Sequence, residues 1–254
     1  MPFASSRERA GRVGSGVARL RRVAASLCLG MAAACCLLAP AHGQNPDGFP
    51  TPDDSLKIYA VGTVKTRLFK RWVGHGIYLG HGAVITASHV LGRWPLNVNQ
   101  RVLVASQELP AKVIKQGEPE ETDLALLSVD EKRLPISLRL RLNPVCKGMP
   151  PVGAEVVVVN PEGTARSRII SPMSIPAEYR IKYGTVIGGD VLAGSGSGVF
   201  DAARRCLLGI ISRRILMGSA PNSDQGAEDG TVEYAKYFVP APTIAKFIPA
   251  EFRF

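Results

Sequence analysis

His89, Asp123 and Ser195 are the residues of this sequence whose types and order could break an acyl bond. An imidazole can take a proton from a serine hydroxyl and later return it. A carboxylate on its other nitrogen fixes the tautomer and stabilises the charged ring. His89 closes the apolar run Ala83-Val-Ile-Thr-Ala-Ser, whose small last residues would leave the ring at the rim of a sheet. Asp123 stands at the mouth of a second apolar run, Leu124-Ala-Leu-Leu127. Ser195 lies in Ala193-Gly-Ser-Gly-Ser197-Gly, a turn able to project a hydroxyl and leave N–H groups free for an oxyanion. Each segment alone also has a plainer reading: a strand-end histidine bonded to a carbonyl, a turn aspartate, a flexible Gly/Ser turn. Glu118, Glu120 and Glu121 fall outside the apolar frame and read as loop surface.

The elements that must hold these residues are short and β-prone. Strands are expected at 58–65, 74–79, 83–86, 101–105, 112–116 and 124–129, and again at 155–160, 166–171, 198–201, 207–212 and 233–239. Gly-rich turns and almost no 3.6-residue periodicity argue for an all-β sandwich or barrel. A proline-rich stretch at 135–151 reads as a connector between two halves, about 56–134 and about 152–241. Only 242–248 has a helical pattern, with Pro242 near its start and Ile244, Phe247 and Ile248 on one face.

Together the segments resemble the trypsin/chymotrypsin superfamily, in particular exported bacterial members related to the high-temperature-requirement proteases. The resemblance rests on T-A-S-H at Thr86–His89, D-L-A-L-L from Asp123, S-G-x-x-V-F from Ser195, Leu208-Gly-Ile-Ile-Ser212 and Tyr237-Phe-Val-Pro240. It covers nearly all of 58–248, with spacings of 34 and 72 residues between the three key positions. It implies two six-stranded antiparallel β-barrels with the site between them, a short C-terminal helix, and a serine endopeptidase acting on polypeptides without metal or other cofactor. Register prefers Ser195 over Ser197 as nucleophile, because Val199-Phe200 stand where the family has an apolar pair. By the same resemblance Ser212 supports the triad carboxylate, the N–H groups of Ala193 and Ser195 form the oxyanion hole, and the specificity pocket involves Gly189, Asp190, Arg213 and Arg214.

Two positions depart from the family pattern. Glycine is usual where Ala193 stands, and Asp or Asn where Gly194 stands. A side chain at 193 could turn away one oxyanion donor, a loss worth ~10²–10³ in turnover. The alternative function is therefore a weak or inactive protease-like barrel serving as a binding or chaperone-like module. Asp190 would favour basic substrate side chains, whereas an arginine on the pocket wall would neutralise it or favour acidic ones.

The chain has 254 residues and a formal net charge of +10, but its first 43 residues carry six Arg and one Glu, hence half of that charge. Those arginines precede an uncharged 16-residue run, Val23–Leu38, and Ala41-His42-Gly43 ends the segment with small residues. This is the pattern of a signal peptide cut near Gly43, followed by an exposed lead-in at 44–55 and implying a periplasmic or secreted product with no stable membrane anchor. The remaining charge, without a basic stripe interleaved with aromatics, argues against nucleic-acid binding. Cys28, Cys35 and Cys36 belong to the apolar run, leaving Cys146 and Cys206. In an oxidising compartment that pair suggests one disulfide; two separate thiols is the other reading. With neither C-x-x-C nor H-E-x-x-H spacing there is no zinc site to read.

Overall fold

Side chains alternating about each short strand face two different apolar cores, and this sorts the chain into two closed barrels. The computed structural model describes residues 51–67, 70–92, 99–189, 191, 193–216 and 234–252. Residues 1–43, read from the sequence as a signal peptide, and Asp190 lie outside the described residues.

The first barrel comprises β1 (Ala60–Arg67), β2 (Lys70–Gly80), β3 (Ala83–Thr86), β4 (Arg101–Val104), β5 (Gln107–Gln116) and β6 (Ala125–Val129). The second comprises β7 (Glu155–Val159), β8 (Thr164–Ile170), β9 (Val186–Ile187), β10 (Gly198–Asp201), β11 (Leu207–Leu216) and β12 (Tyr234–Pro240). Every strand pairing is antiparallel. Strand order is β1-β2-β3-β6-β5-β4 around the first ring and β7-β8-β9-β12-β11-β10 around the second, so both halves have one topology. The fold is thus the all-β pair of six-stranded barrels expected from the resemblance, and the short helix Ala241–Phe247 follows the last strand.

Period-two alternation explains the near-continuous apolar runs in the sequence. In β6, Ala125, Leu127 and Val129 fill the first barrel while Leu126 faces the other half. In β7, Val156 and Val158 fill the second barrel, and Val157 and Val159 turn to a shared core with Ile77, Leu79, Ile85, Phe200 and Ile244. Strands buried on both faces cannot show polar alternation, which is why these segments read as Leu/Val blocks.

Residues 52–55, read from composition as part of a lead-in, begin a 3₁₀ run, Pro52–Tyr59. Leu56 enters the shared core, and Asp53 is buried and accepts a 2.7 Å hydrogen bond from Arg166 Nε of β8. Cys146 and Cys206 form a disulfide that ties the connector to the start of β11, where the Cys146 N–H also donates to the Leu207 carbonyl. Closing a loop of 60 residues stabilises the fold by about 4 kcal/mol in the chain-entropy model. Among the described residues, no helix is long and apolar enough to cross a membrane.

Candidate active site

The β3–β6 register brings His89 to Asp123. Thr86 pairs with Ala125, so the chain leaving β3 and the chain entering β6 run side by side at one end of the first barrel. One turn of helix, Ser88–Leu91, starts there, and its Ser88 N–H donates to the Asp123 carbonyl at 3.1 Å. Asp123 has φ +47°, a left-handed conformation that Asp tolerates better than most residues. Its own N–H donates to the Glu118 carbonyl at 3.0 Å, closing the loop before β6. The carboxylate, almost wholly buried, then receives His89 Nδ1 at 2.8 Å on Oδ2 and the His89 backbone N–H at 3.0 Å on Oδ1. An ionised carboxylate only accepts, so the proton of the neutral ring sits on Nδ1 and leaves Nε2 free as a base.

The second barrel supplies the other half. Ile211 pairs with Phe238 and Arg213 with Tyr237, so Ser212 is the extra residue of a β-bulge in β11. The bulge releases Ser212 from the ladder. Its hydroxyl donates to Asp123 Oδ2, and its carbonyl accepts from Ser195 Oγ at 3.1 Å. Among the described residues, no hydrogen bond joins Ser195 to His89 directly. The turn bearing Ser195 is held from both barrels: the Gly196 N–H donates to the Ile211 carbonyl at 2.8 Å, and the His75 N–H to the Ser195 carbonyl at 3.2 Å.

The two serines of the turn go to different places. Ser195 is half-buried and lines a cavity of about 250 Å³ together with Ala193, Gly194, Ile211, Arg213, Arg214 and Lys236. Ser197 is fully buried, with its Oγ 2.9 Å from His75 Nδ1. Gly189 is not among the described lining residues of that cavity, whereas both arginines are. Arg213 also reaches back to the loop before β6, donating to the Pro119 carbonyl at 3.0 Å and to Glu120 Oε1 at 3.3 Å. Glu120 is on the surface as expected, yet it is paired. A hydrogen bond from Lys182, then the charge of Arg213, holds its carboxyl below the usual range. Tyr237, opposite Arg213, has its hydroxyl pKa raised by burial and next by the charge of Asp123. A larger cavity, about 450 Å³, runs along Val113–Pro119, and its described lining residues include none of His89, Asp123 and Ser195. The smaller one matters because Ser195 lines it.

The family model described as a trypsin-like peptidase domain matches residues 74–210, more than half of the chain. The chain belongs to the trypsin-like peptidase family. Among solved structures it is similar to the Rv3671c protease of M. tuberculosis in an inactive form, with a TM-score of 0.53, 21% identity, and coverage of 85% of this chain and 98% of that one. It is also similar to the MamO protease domain of Magnetospirillum magneticum, with a TM-score of 0.50, 21% identity, and coverage of 76% and 97%. A serine endoprotease from Yersinia pestis matches with a TM-score of 0.50, 19% identity, and coverage of 78% and 65%. At these identities the likeness is one of fold. Curated protein sequences give no significant match.

Two residues of this trypsin-like peptidase escaped the sequence reading. His75, between two glycines in β2, bonds Ser197 through Nδ1 and lies 3.3 Å from Glu162 Oε2 through Nε2. A Cβ at Gly194 would stand 3.1 Å from its Cε1, so the ring occupies the space that a side chain at 194 would take. The G-H-G pattern was the available signal, since a histidine flanked by glycines in a strand has backbone pressed close to its neighbours. Lys236 was read only as part of a strand, although its position opposite Arg214 puts two cations side by side. A double-mutant cycle with His75→Ala and Ser197→Ala, measured by urea unfolding, should give a coupling of about 1 kcal/mol. His75→Ala alone should cost ~1–3 kcal/mol, because it orphans a buried hydroxyl. Strict additivity would remove His75 as the support of the turn.

Proposed function

We propose that this chain is an exported serine endopeptidase, with Ser195 as nucleophile, His89 as general base and then general acid, and Asp123 as the group that orients His89. The observation carrying the reading is the double link through Ser212, whose hydroxyl holds Asp123 and whose carbonyl holds Ser195. Turning of the Ser195 hydroxyl from that carbonyl toward His89 Nε2 would prepare the attack. Such bonds are often long or unmade in unliganded sites.

Nε2 takes the hydroxyl proton as Oγ bonds to the peptide carbonyl carbon, and the carbonyl electron pair moves onto oxygen. Collapse of that intermediate breaks the C–N bond, and the imidazolium returns its proton to the leaving amine. Water, activated by the same ring, then hydrolyses the acyl-enzyme. Neither the Ala193 nor the Ser195 N–H has a backbone acceptor among the described residues, which supports their role as oxyanion donors. The substrate is a polypeptide, and the reaction requires no cofactor. The disulfide suits an oxidising compartment, in keeping with the signal-like residues 1–43.

A second reading, a barrel that binds without cleaving, is favoured by Ala193 at the head of the oxyanion turn and by the unmade His89–Ser195 bond. A fluorophosphonate probe separates the two. The mature protein should label, and Ser195→Ala should not; an unlabelled wild type, or equal labelling of both, excludes Ser195 as an activated nucleophile.

A further inference from the structure

We propose that the connector between the barrels, residues 132–152, is a docking surface for a bilayer rich in anionic lipid. The contact is peripheral and reversible, not an anchor. It goes beyond the peptidase reading and does not depend on Ser195.

The first observation is charge. Residues 132–154 contain Lys132, Arg133, Arg139, Arg141 and Lys147 and no carboxylate. Removal of residues 1–43 leaves a formal charge of +5, so this one stretch equals the whole surplus and the rest of 44–254 is balanced. Arg141 Nε donates to the Ser137 carbonyl at 3.1 Å. Among the described residues, Lys132, Arg133, Arg139 and Lys147 are in no ion pair.

The second observation is what stands between the cations. Leu140 is 77% exposed, Ile136 and Val152 are each 62% exposed, and Leu142 and Met149 are about half exposed. A solvated surface mixes charges of both signs with polar residues, whereas these spacers are large and apolar. The backbone fixes them outward. Leu134 and Leu138 fill the first barrel, the Asn143 N–H donates to the Leu79 carbonyl at 2.8 Å, and Cys146 is held to the second barrel by its disulfide and by Leu207. With those residues turned inward, the ones between them are presented on a segment fastened to both barrels.

A layer of anionic headgroups over acyl chains matches both features. Lys and Arg reach the phosphates on long stems while the apolar side chains enter the acyl boundary. An acidic protein would instead require cations held in one pattern, and four of these have no partner to hold them. The reactive groups stay clear of the bilayer. Asn143 meets β2 beside the β2–β3 turn, and β3 delivers His89 from its opposite end.

The test is flotation of the mature protein, which contains both barrels, with vesicles of phosphatidylcholine alone or with a third of it replaced by phosphatidylglycerol. Affinity for the anionic vesicles should be about tenfold or more the higher, and should fall severalfold as salt is raised from ~0.1 to ~0.5 M. The triple variant Lys132→Gln, Arg133→Gln, Lys147→Gln, at exposed positions, should lose on the order of 10²-fold, at about fivefold for each cation removed. Leu140→Ser with Val152→Ser should lose about tenfold with every charge retained. Lys112→Gln, an exposed cation of β5, is the control and should bind as wild type does. Melting temperatures show that each variant is folded. Equal affinity for the two vesicles would overturn the proposal, as would a control as damaging as the triple variant or an apolar variant that binds like wild type. Preference for soluble polyglutamate over the anionic vesicles would overturn it too, and would assign the surface to an acidic polypeptide. Flotation reads binding alone, so Ser195→Ala should float like wild type whatever becomes of the nucleophile reading.

Discussion

Asp123→Asn is expected to lower peptide turnover by ~10⁴-fold while leaving the fold in place. With its oxygen in the place of Oδ1 the asparagine still accepts from the His89 backbone N–H, and its NH₂ in the place of Oδ2 donates to a rotated Ser212 hydroxyl, so the local scaffold keeps its bonds. What changes is the partner of His89 Nδ1. An amide NH₂ facing that nitrogen favours the tautomer with its proton on Nε2, and the ring then presents a donor where the serine needs a base. The loss should fall on kcat more than on KM, since the carboxylate contributes to the charged transition state rather than to substrate contacts. Steady-state kinetics alongside a thermal melt decides the matter. A loss below tenfold with an unchanged melt would show that the carboxylate is structural only.

Gly196→Ala should be comparably severe by a different route. Gly196 has φ +91°, and a Cβ there would stand 1.9 Å from the His75 carbonyl oxygen and 2.7 Å from Thr86 Oγ1. Neither neighbour can yield easily, because the Thr86 hydroxyl donates to that same carbonyl and both lie in paired strands. Backbone strain and overpacking together should cost ~2–5 kcal/mol of stability. The turn must move to relieve them, taking the Ser195 hydroxyl with it, so fluorophosphonate labelling should disappear. Gly189→Ala is the control. Gly189 has a similar φ of +88°, but nothing lies within 4 Å of its would-be Cβ, so only the strain of about 1 kcal/mol is expected. Equal melting temperatures for Gly196→Ala and wild type would mean that the turn is looser than its contacts imply.

The barrels were legible because both-face burial leaves Leu/Val blocks bounded by glycine and turn residues. β9 was not: two residues, Val186–Ile187, are too few to show any alternation, and the strand exists because Tyr237 and Lys236 on one side and Ile169 and Ile170 on the other offer it partners. The meeting of His89 with Asp123 was legible as an order of residues but not as a mechanism of placement, which depends on the Thr86–Ala125 pairing and on a left-handed backbone at Asp123. The Ser212 bulge left no mark in composition, since a bulge depends on how β11 and β12 register and not on residue type. His75 and Lys236 were invisible for a related reason. Their partners, Ser197, Glu162, Val191 and Ala193, lie at least 40 residues away, and pattern reading along a chain sees only neighbours.

His89 and Asp123 come from one barrel, Ser195 and Ser212 from the other, and among the described residues every strand of the second barrel follows the first barrel in sequence. A polypeptide emerging N-terminal end first can therefore complete its first barrel and still hold only half of the reactive groups. Hydrolytic competence would arrive late, as a property of the docked pair, which spares the half-made molecule and its neighbours from premature self-cleavage.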